Sequence, residues 1–305
     1  MEFMIPGLLF GYASAKGKFC LNSGFADAAK GDFRKFNILL VAILGQIILL
    51  PIFLRLGYVP LHFSSSIIGI LIGGFLFGLL MPVAGGCTAG AMFKAGSGDT
   101  VAVASTVGFL AAIGVAYHTP AKIWLGKLEP TLLPAPDIEM RYFFAVGSIV
   151  FLLYLLFRAK DAKPNGADWS WKRTAGLVSL ALTLHAILSG LRGKAVGVFF
   201  IPGFIDLWTL NLSPDLFFLL AVPLGAMLTL VGSQKQTWQR ISIRNLLSRL
   251  LAGFGLGLAA AIAGGCSVGY SLGLLPSLSL HALAAISSIF LGRMASLQMG
   301  KYYAK

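Results

Sequence analysis

The chain has 305 residues, 57% hydrophobic and 11% charged, with a mean hydropathy of +0.84. A soluble domain carries about 25% charged residues, so the composition excludes an ordinary soluble enzyme and points to an all-α polytopic membrane protein. A net charge of +13 would suit nucleic acid in a polar chain. In one this apolar it marks cytoplasmic loops instead, and no nucleic-acid partner is expected.

Nine apolar segments are predicted to cross the bilayer, near 3–15, 36–54, 66–81, 99–117, 142–157, 174–189, 216–232, 250–263 and 280–300. The first is short for a hydrocarbon core of about 30 Å. It follows Glu2 with no basic start, so it reads as a membrane segment and not as a cleaved signal peptide. The basic residues cluster at Lys30, Arg34 and Lys35, at Arg158, Lys160, Lys163, Lys172 and Arg173, at Lys235, Arg240, Arg244 and Arg249, and at Lys301 and Lys305. The stretch 118–141 balances Lys122, Lys127 and Arg141 against Glu129, Asp137 and Glu139, and NLSPD (211–215) has no base. Positive loops stay inside. Nine crossings then put the N-terminus outside, the C-terminus in the cytoplasm and every basic cluster on the cytoplasmic side.

One offset recurs along the chain. AGGCTAG (84–90) and AGGCSVG (263–269) lie 179 positions apart, as do GFLFG (74–78) and GFGLG (253–257), and GFAD (24–27) and GFID (203–206). Residues 1–305 thus read as one transmembrane domain holding a duplicated unit, with halves at about 1–120 and 174–300 joined by a helix at 142–157. A single linking helix turns the second half upside down, giving two inverted repeats, an architecture common among transporters.

Three cysteines cannot close a disulfide framework among themselves, and Cys20, Cys87 and Cys266 are read as free thiols. Gly85, Gly86 and Gly90 surround Cys87, and Gly264, Gly265 and Gly269 surround Cys266. Paired glycines after an apolar helix predict a break and a short re-entrant half-helix, because glycine costs a helix about 1 kcal/mol relative to alanine. Broken backbone at membrane depth survives only against protein or a watery cavity. Half-helix N-termini offer free N–H groups and partial positive charge, which suits an anion. The competing reading is plain packing, since Gly86 and Gly90, or Gly265 and Gly269, fit the small-xxx-small helix contact.

The third cysteine lies in GKFCLNSGFAD (17–27), with lysines, Asn22, Ser23 and Asp27 interrupting apolar sequence; its counterpart SGLRGKAVGVFFIPGFID (189–206) has Arg192 and Lys194 but no cysteine. Lys16, Lys18, Lys94, Arg192, Lys194 and Arg293 flank these stretches. Lys18, Arg192 and Lys194 are the candidates for drawing anions to the mouths of a path, against the alternative that they orient the chain or snorkel to headgroups. His185 and His281 read as core or interfacial histidines, with a proton relay as the alternative.

KFCLNSGFAD around Cys20, AGGCTAG around Cys87, SGLRGKAVG at 189–197 and AGGCSVG around Cys266, taken in that order, resemble the YeeE/YedE family of membrane transporters for sulfur-containing ions, and most closely its thiosulfate-uptake members. The resemblance spans essentially the whole chain. It implies an hourglass-like monomer with spanning and short non-spanning helices and a narrow central path along which Cys20, Cys87 and Cys266 are spaced. Tyr270 departs from the polar residue, such as histidine, expected there.

The expected function is therefore inner-membrane import of thiosulfate, the ion passing between cysteine S–H donors. Competing cargoes are a selenium compound, sulfite or another sulfur oxyanion. A membrane thiol-redox protein is a further alternative, but the chain lacks the CxxC pair usual in such proteins. No enzymatic activity, catalytic residue, cofactor or metal site is expected. The expected partners are the small sulfur anion, the lipid bilayer and a separate cytoplasmic sulfur-carrier protein.

Overall fold

The computed structural model describes residues 2–58, 66–118, 138–158, 169–230 and 242–303. Lys122, Lys127, Glu129, Asp137, Lys160, Lys163, Lys235, Arg240 and Lys305, used above for orientation, lie outside them, as do residues 231 and 232 of the seventh apolar segment.

The described residues form helices and no strands. In chain order they are α1 (Met4–Lys16), α2 (Leu21–Ala28), α3 (Arg34–Arg55), α4 (Ile67–Ala84), α5 (Thr88–Gly96), α6 (Thr100–His118), α7 (Ile138–Arg158), α8 (Trp171–Leu191), α9 (Phe200–Thr209), α10 (Pro214–Met227), α11 (Ile243–Ala263), a π-helix (Gly269–Leu274) running into a 3-10 turn (Leu275–Ser277), and α12 (Leu280–Tyr303). Seven spans have the length and composition to cross a membrane: α3, α4 together with α5, α6, α7, α8, α11 and α12. The first and seventh expected crossings fall short. α1 has 13 residues and α10 has 14, about 20 Å each at 1.5 Å per residue. Hydropathy overcounted them because an apolar helix buried in protein reads like one facing lipid. α10 also meets α9 at 103° across a short break, so the two make at most one bent span.

Close approach between helices is made by glycine. A methyl at Gly78 would fall 2.0 Å from the Ile289 carbonyl oxygen, one at Gly108 would fall 2.1 Å from that of Leu250, and one at Gly253 would fall 2.1 Å from that of Ser105. These contacts seat α4 against α12 and α11 against α6. Gly73 meets Ala259 and Ala263, joining α4 to α11. In a second group, Gly7 and Gly11 of α1 meet Phe218, Ala221 and Val222 of α10, and Gly225 of α10 meets Leu8. Small residues let backbones meet where no hydrophobic effect drives helices together. The linking helix α7 stands at the edge. It touches α3, with Arg55 over the Tyr142 ring at 4.7 Å, and leaves Phe143, Val146 and Val150 exposed.

Contacts fix directions as well. Along α4, Gly73 lies by Ala263, Leu80 by Gly255 and Val83 by Arg249, so α4 and α11 run antiparallel. The 179-residue spacing recurs at the ends of elements. α4 ends at Gly85 in the left-handed region (φ 87°) and α11 at Gly264 (φ 76°). α2 begins at Leu21 and α9 at Phe200.

Candidate functional site

The glycines of the two repeated heptapeptides differ from the packing glycines above. Gly85 and Gly264 take the left-handed conformation that ends a helix, where a side chain would be strained. The amide of Gly86 returns to the Met81 carbonyl at 3.0 Å, closing a Schellman-type cap. Gly90 clears room for sulfur: a methyl there would fall 2.3 Å from Cys20 Sγ and 3.4 Å from Cys87 Sγ. Gly86 borders Cys20 Sγ in the same way at 3.4 Å. In the other copy, Gly265 lies beneath the Tyr270 ring and Gly269 beneath the Phe199 ring.

Cys20 and Cys87 are buried N-caps of α2 and α5, both in extended backbone. Their sulfurs stand 3.6 Å apart. Cys87 Sγ accepts the amide of Gly90 at 3.4 Å, and Cys266 Sγ accepts the amide of Gly269 at 3.4 Å. A thiol here does the work an N-cap hydroxyl does elsewhere. Cys20 and Cys87 therefore meet where the N-termini of two short helices converge.

The two centres differ in charge. Lys94 Nζ donates to the Gly85 carbonyl, and Arg249 reaches from α11 to the carbonyls of Pro82 (3.3 Å) and Val83 (2.7 Å). Both complement the negative end of α4. Arg293 is buried at 7% exposure, and its Nε has no partner. Around Cys266 the corresponding role falls to a neutral group. The Tyr270 hydroxyl donates to the Ala263 carbonyl at the end of α11, and its ring fills the space over Gly265.

Beside the second centre lies a cavity of about 240 Å³ whose lining includes Ser189, Lys194, Phe199 and Asp215. Phe199 occupies the place that Cys20 has in the first copy. It precedes α9 as Cys20 precedes α2, and its ring lies over Gly269 as Cys20 Sγ lies over Gly90. The ring thus touches both the cavity and Gly269, whose amide bonds Cys266 Sγ.

The structure thus brings Cys20 and Cys87 into contact, where the sequence reading had the three cysteines spaced along a path. Arg192 pairs with Glu2 at 3.2 Å and Lys194 with Asp215 at 3.6 Å, both near the start of α1. Lys18 follows the far end of α1 and does not join them. The sequence reading missed the role of Arg249, counted only as a loop charge, and the part played by Phe199. The 179-residue offset from Cys20 was the signal that could have found Phe199. His185 is a core histidine, with Phe3 and Phe218 against its ring and Ser189 Oγ 3.4 Å from Nδ1.

Spanning helices around interior chain breaks that carry buried polar groups are the build of a membrane transporter. The sulphur transport family model matches residues 16–295. The chain belongs to this family, the YeeE/YedE family of the resemblance. It is 26% identical to the thiosulfate transporter TsuA of Spirochaeta thermophila, over 95% of each chain. It is 24% identical to the thiosulfate transporter TsuA of Escherichia coli K12, over 88% of this chain and 85% of that one. Family and relatives are transporters, not enzymes, and they support transport of a small sulfur anion across a membrane by this multi-pass chain.

Proposed function

We propose that this chain imports thiosulfate across an inner membrane, along a path that meets Cys266 first and the Cys87–Cys20 pair second. The observation that carries the reading is the pair of buried sulfurs 3.6 Å apart at two helix N-termini. Thiosulfate is a dianion with one soft, exposed sulfur. Its charge needs compensation once it leaves water, and converging N–H groups supply it without a fixed counter-ion. A neutral S–H is a weak donor. Weakness serves transport, because each station must release the ion as readily as it takes it.

The sides follow from the positive-inside rule. Arg34 and Lys35 open α3, Arg173 lies in the first turn of α8, and Arg244 and Arg249 lie in the first half of α11. On this reading those ends are cytoplasmic, the N-terminus is outside and the C-terminus inside. Cys87 and Cys20 then lie toward the cytoplasm, and Cys266 and the Lys194 cavity toward the outside. Antiparallel α4 and α11 support two inverted halves joined by α7, narrowing to an hourglass at the thiols. Lys94, Arg249 and Arg293 deepen the inner station for an anion, and a separate cytoplasmic sulfur-carrier protein would receive the ion there.

The test is uptake of radiolabelled thiosulfate by cells lacking their own importers. Wild type, Cys87→Ala and Cys266→Ala are compared at matched membrane expression. Uptake by wild type that both variants lose supports the path. Uptake surviving in both returns the cysteines to packing. No wild-type uptake moves the cargo to a selenium compound, sulfite or another sulfur oxyanion.

A further inference from the structure

Directly after each repeated cysteine comes a hydroxyl residue, Thr88 after Cys87 and Ser267 after Cys266. They are 3% and 0% exposed, and neither Thr88 Oγ1 nor Ser267 Oγ has a hydrogen-bond partner. A buried hydroxyl without a partner costs about 1–3 kcal/mol, and such groups call for an explanation. A mid-helix serine or threonine usually bonds back to the carbonyl four residues before it. Thr106, Thr174 and Ser271 do so here. Thr88 and Ser267 open their helical segments just after a left-handed glycine, so the carbonyl four residues back belongs to the preceding helix. The break that exposes the amides also strands the hydroxyl.

Ser14, Ser179 and Ser277 also carry unpartnered buried hydroxyls. The 179-residue offset matches Ser14 with Gly193 and Ser277 with Gly98, and Ser179 with no residue at all. Among the described residues, only beside Cys87 and Cys266 does the orphan hydroxyl occur at both positions of the 179-residue offset. The same helix break precedes both residues, and it leaves a buried hydroxyl donor beside each thiol that an ion reaching the thiol can satisfy.

We infer that Thr88 and Ser267 are anion ligands, one at each station, their hydroxyls donating to oxygens of the sulfur oxyanion while its sulfur end rests on the adjacent thiol. The inference rests on the proposed path. It adds a division of labour: the thiol recognises soft sulfur, and the hydroxyl and amides recognise hard oxygen. A ligand lacking oxygens, such as sulfide, would find only half of each site.

The experiment pairs ligand-free melting with ligand-induced stabilisation, using the purified full chain in detergent and sodium thiosulfate as probe, with sodium sulfate at equal ionic strength as control. Thr88→Val, Ser267→Ala and the double variant are compared with wild type. We expect the ligand-free melting temperature to hold or rise, since an unsatisfied group has been removed. We expect the thiosulfate concentration needed for half-maximal stabilisation to rise about tenfold for each single variant. A fall in ligand-free melting temperature with unchanged thiosulfate dependence overturns the inference in favour of a structural role, as does unchanged behaviour in both readouts. Wild type that responds to sulfate and thiosulfate alike points instead to failure of the cargo assignment.

Discussion

The sulfurs of Cys20 and Cys87 lie 3.6 Å apart across 67 positions of sequence, each on the N-cap of a different short helix. A dithiol at this distance is open to two chemistries, hydrogen-bond donation to a passing ion or formation of a disulfide, and substitution separates them. Serine keeps a donor but cannot form a disulfide. For a hydrogen-bonding station Cys87→Ser should retain a measurable part of wild-type uptake, and Cys87→Ala should lose about tenfold or more, the equivalent of about 1.4 kcal/mol in the barrier. Equal loss in both variants, with the wild type also inactivated by oxidant, would favour redox chemistry.

Gly90 and Gly78 separate site from scaffold. A methyl at Gly90 collides with Cys20 Sγ at 2.3 Å, the end of a side chain; at Gly78 it meets the backbone of α12 at 2.0 Å. Backbone cannot yield as a thiol can, and overpacking costs about 1–3 kcal/mol. Gly90→Ala should therefore give a monodisperse protein of near-normal melting temperature with little uptake. Gly78→Ala should lower the melting temperature or the yield. Normal uptake by Gly90→Ala would mean the thiol position does not matter.

These two glycines also show what was legible beforehand. The helix breaks could be read because their backbone demands particular residues: a helix ended by a left-handed cap calls for Gly85 and Gly264, and room beside the thiol calls for Gly90. Helical class followed from the apolar, charge-poor composition. The contact of Cys20 with Cys87 could not be read, since its counterpart is a phenylalanine and the repeat breaks there. The lengths of α1 and α10 were also hidden, because apolar sequence does not say whether lipid or protein surrounds it. The start of α10 did carry a local signal, with Ser213 accepting the amide of Leu216 and Pro214 in the first helical position, a preferred helix opening.

Arg293 is a buried cation whose Nε has no acceptor among the described residues. A buried charge kept for stability is dispensable in principle, since apolar replacement is often neutral or stabilising. A buried charge kept for an anion is not. Arg293→Met should leave the melting temperature within a few degrees of wild type and lower thiosulfate uptake about tenfold. A large loss of stability at unchanged uptake per folded molecule would assign Arg293 to the scaffold.

The pH dependence has a definite sign. A thiolate on the path repels a dianion, so uptake should fall, not rise, as pH is raised from 7 to 9. A steady rise over that range, measured in vesicles with pH clamped on both sides, would remove the neutral-thiol mechanism. Asp32 adds nothing to this window. The Arg34 guanidinium beside it holds its carboxyl down to about 2, so the contribution of that pair is present throughout and is lost only as pH falls toward 2.

Phe199 provides the last prediction. Its ring lines the Lys194 cavity and lies over Gly269, whose amide bonds Cys266 Sγ, and it fits closely because Gly269 and Gly273 leave room: methyls there would fall 2.8 and 2.7 Å from ring carbons. If the cavity is the outer mouth, the ring must swing aside for each ion. Reaction of Cys266 with a small anionic thiol reagent measures this directly, in a Cys20→Ala, Cys87→Ala background where one thiol remains. Labelling should be slow with Phe199, faster with Phe199→Leu and faster by about tenfold or more with Phe199→Ala. The graded series guards against collapse of the alanine variant, because leucine keeps most of the packing volume. Equal labelling rates across the series would mean that ions reach Cys266 by another route.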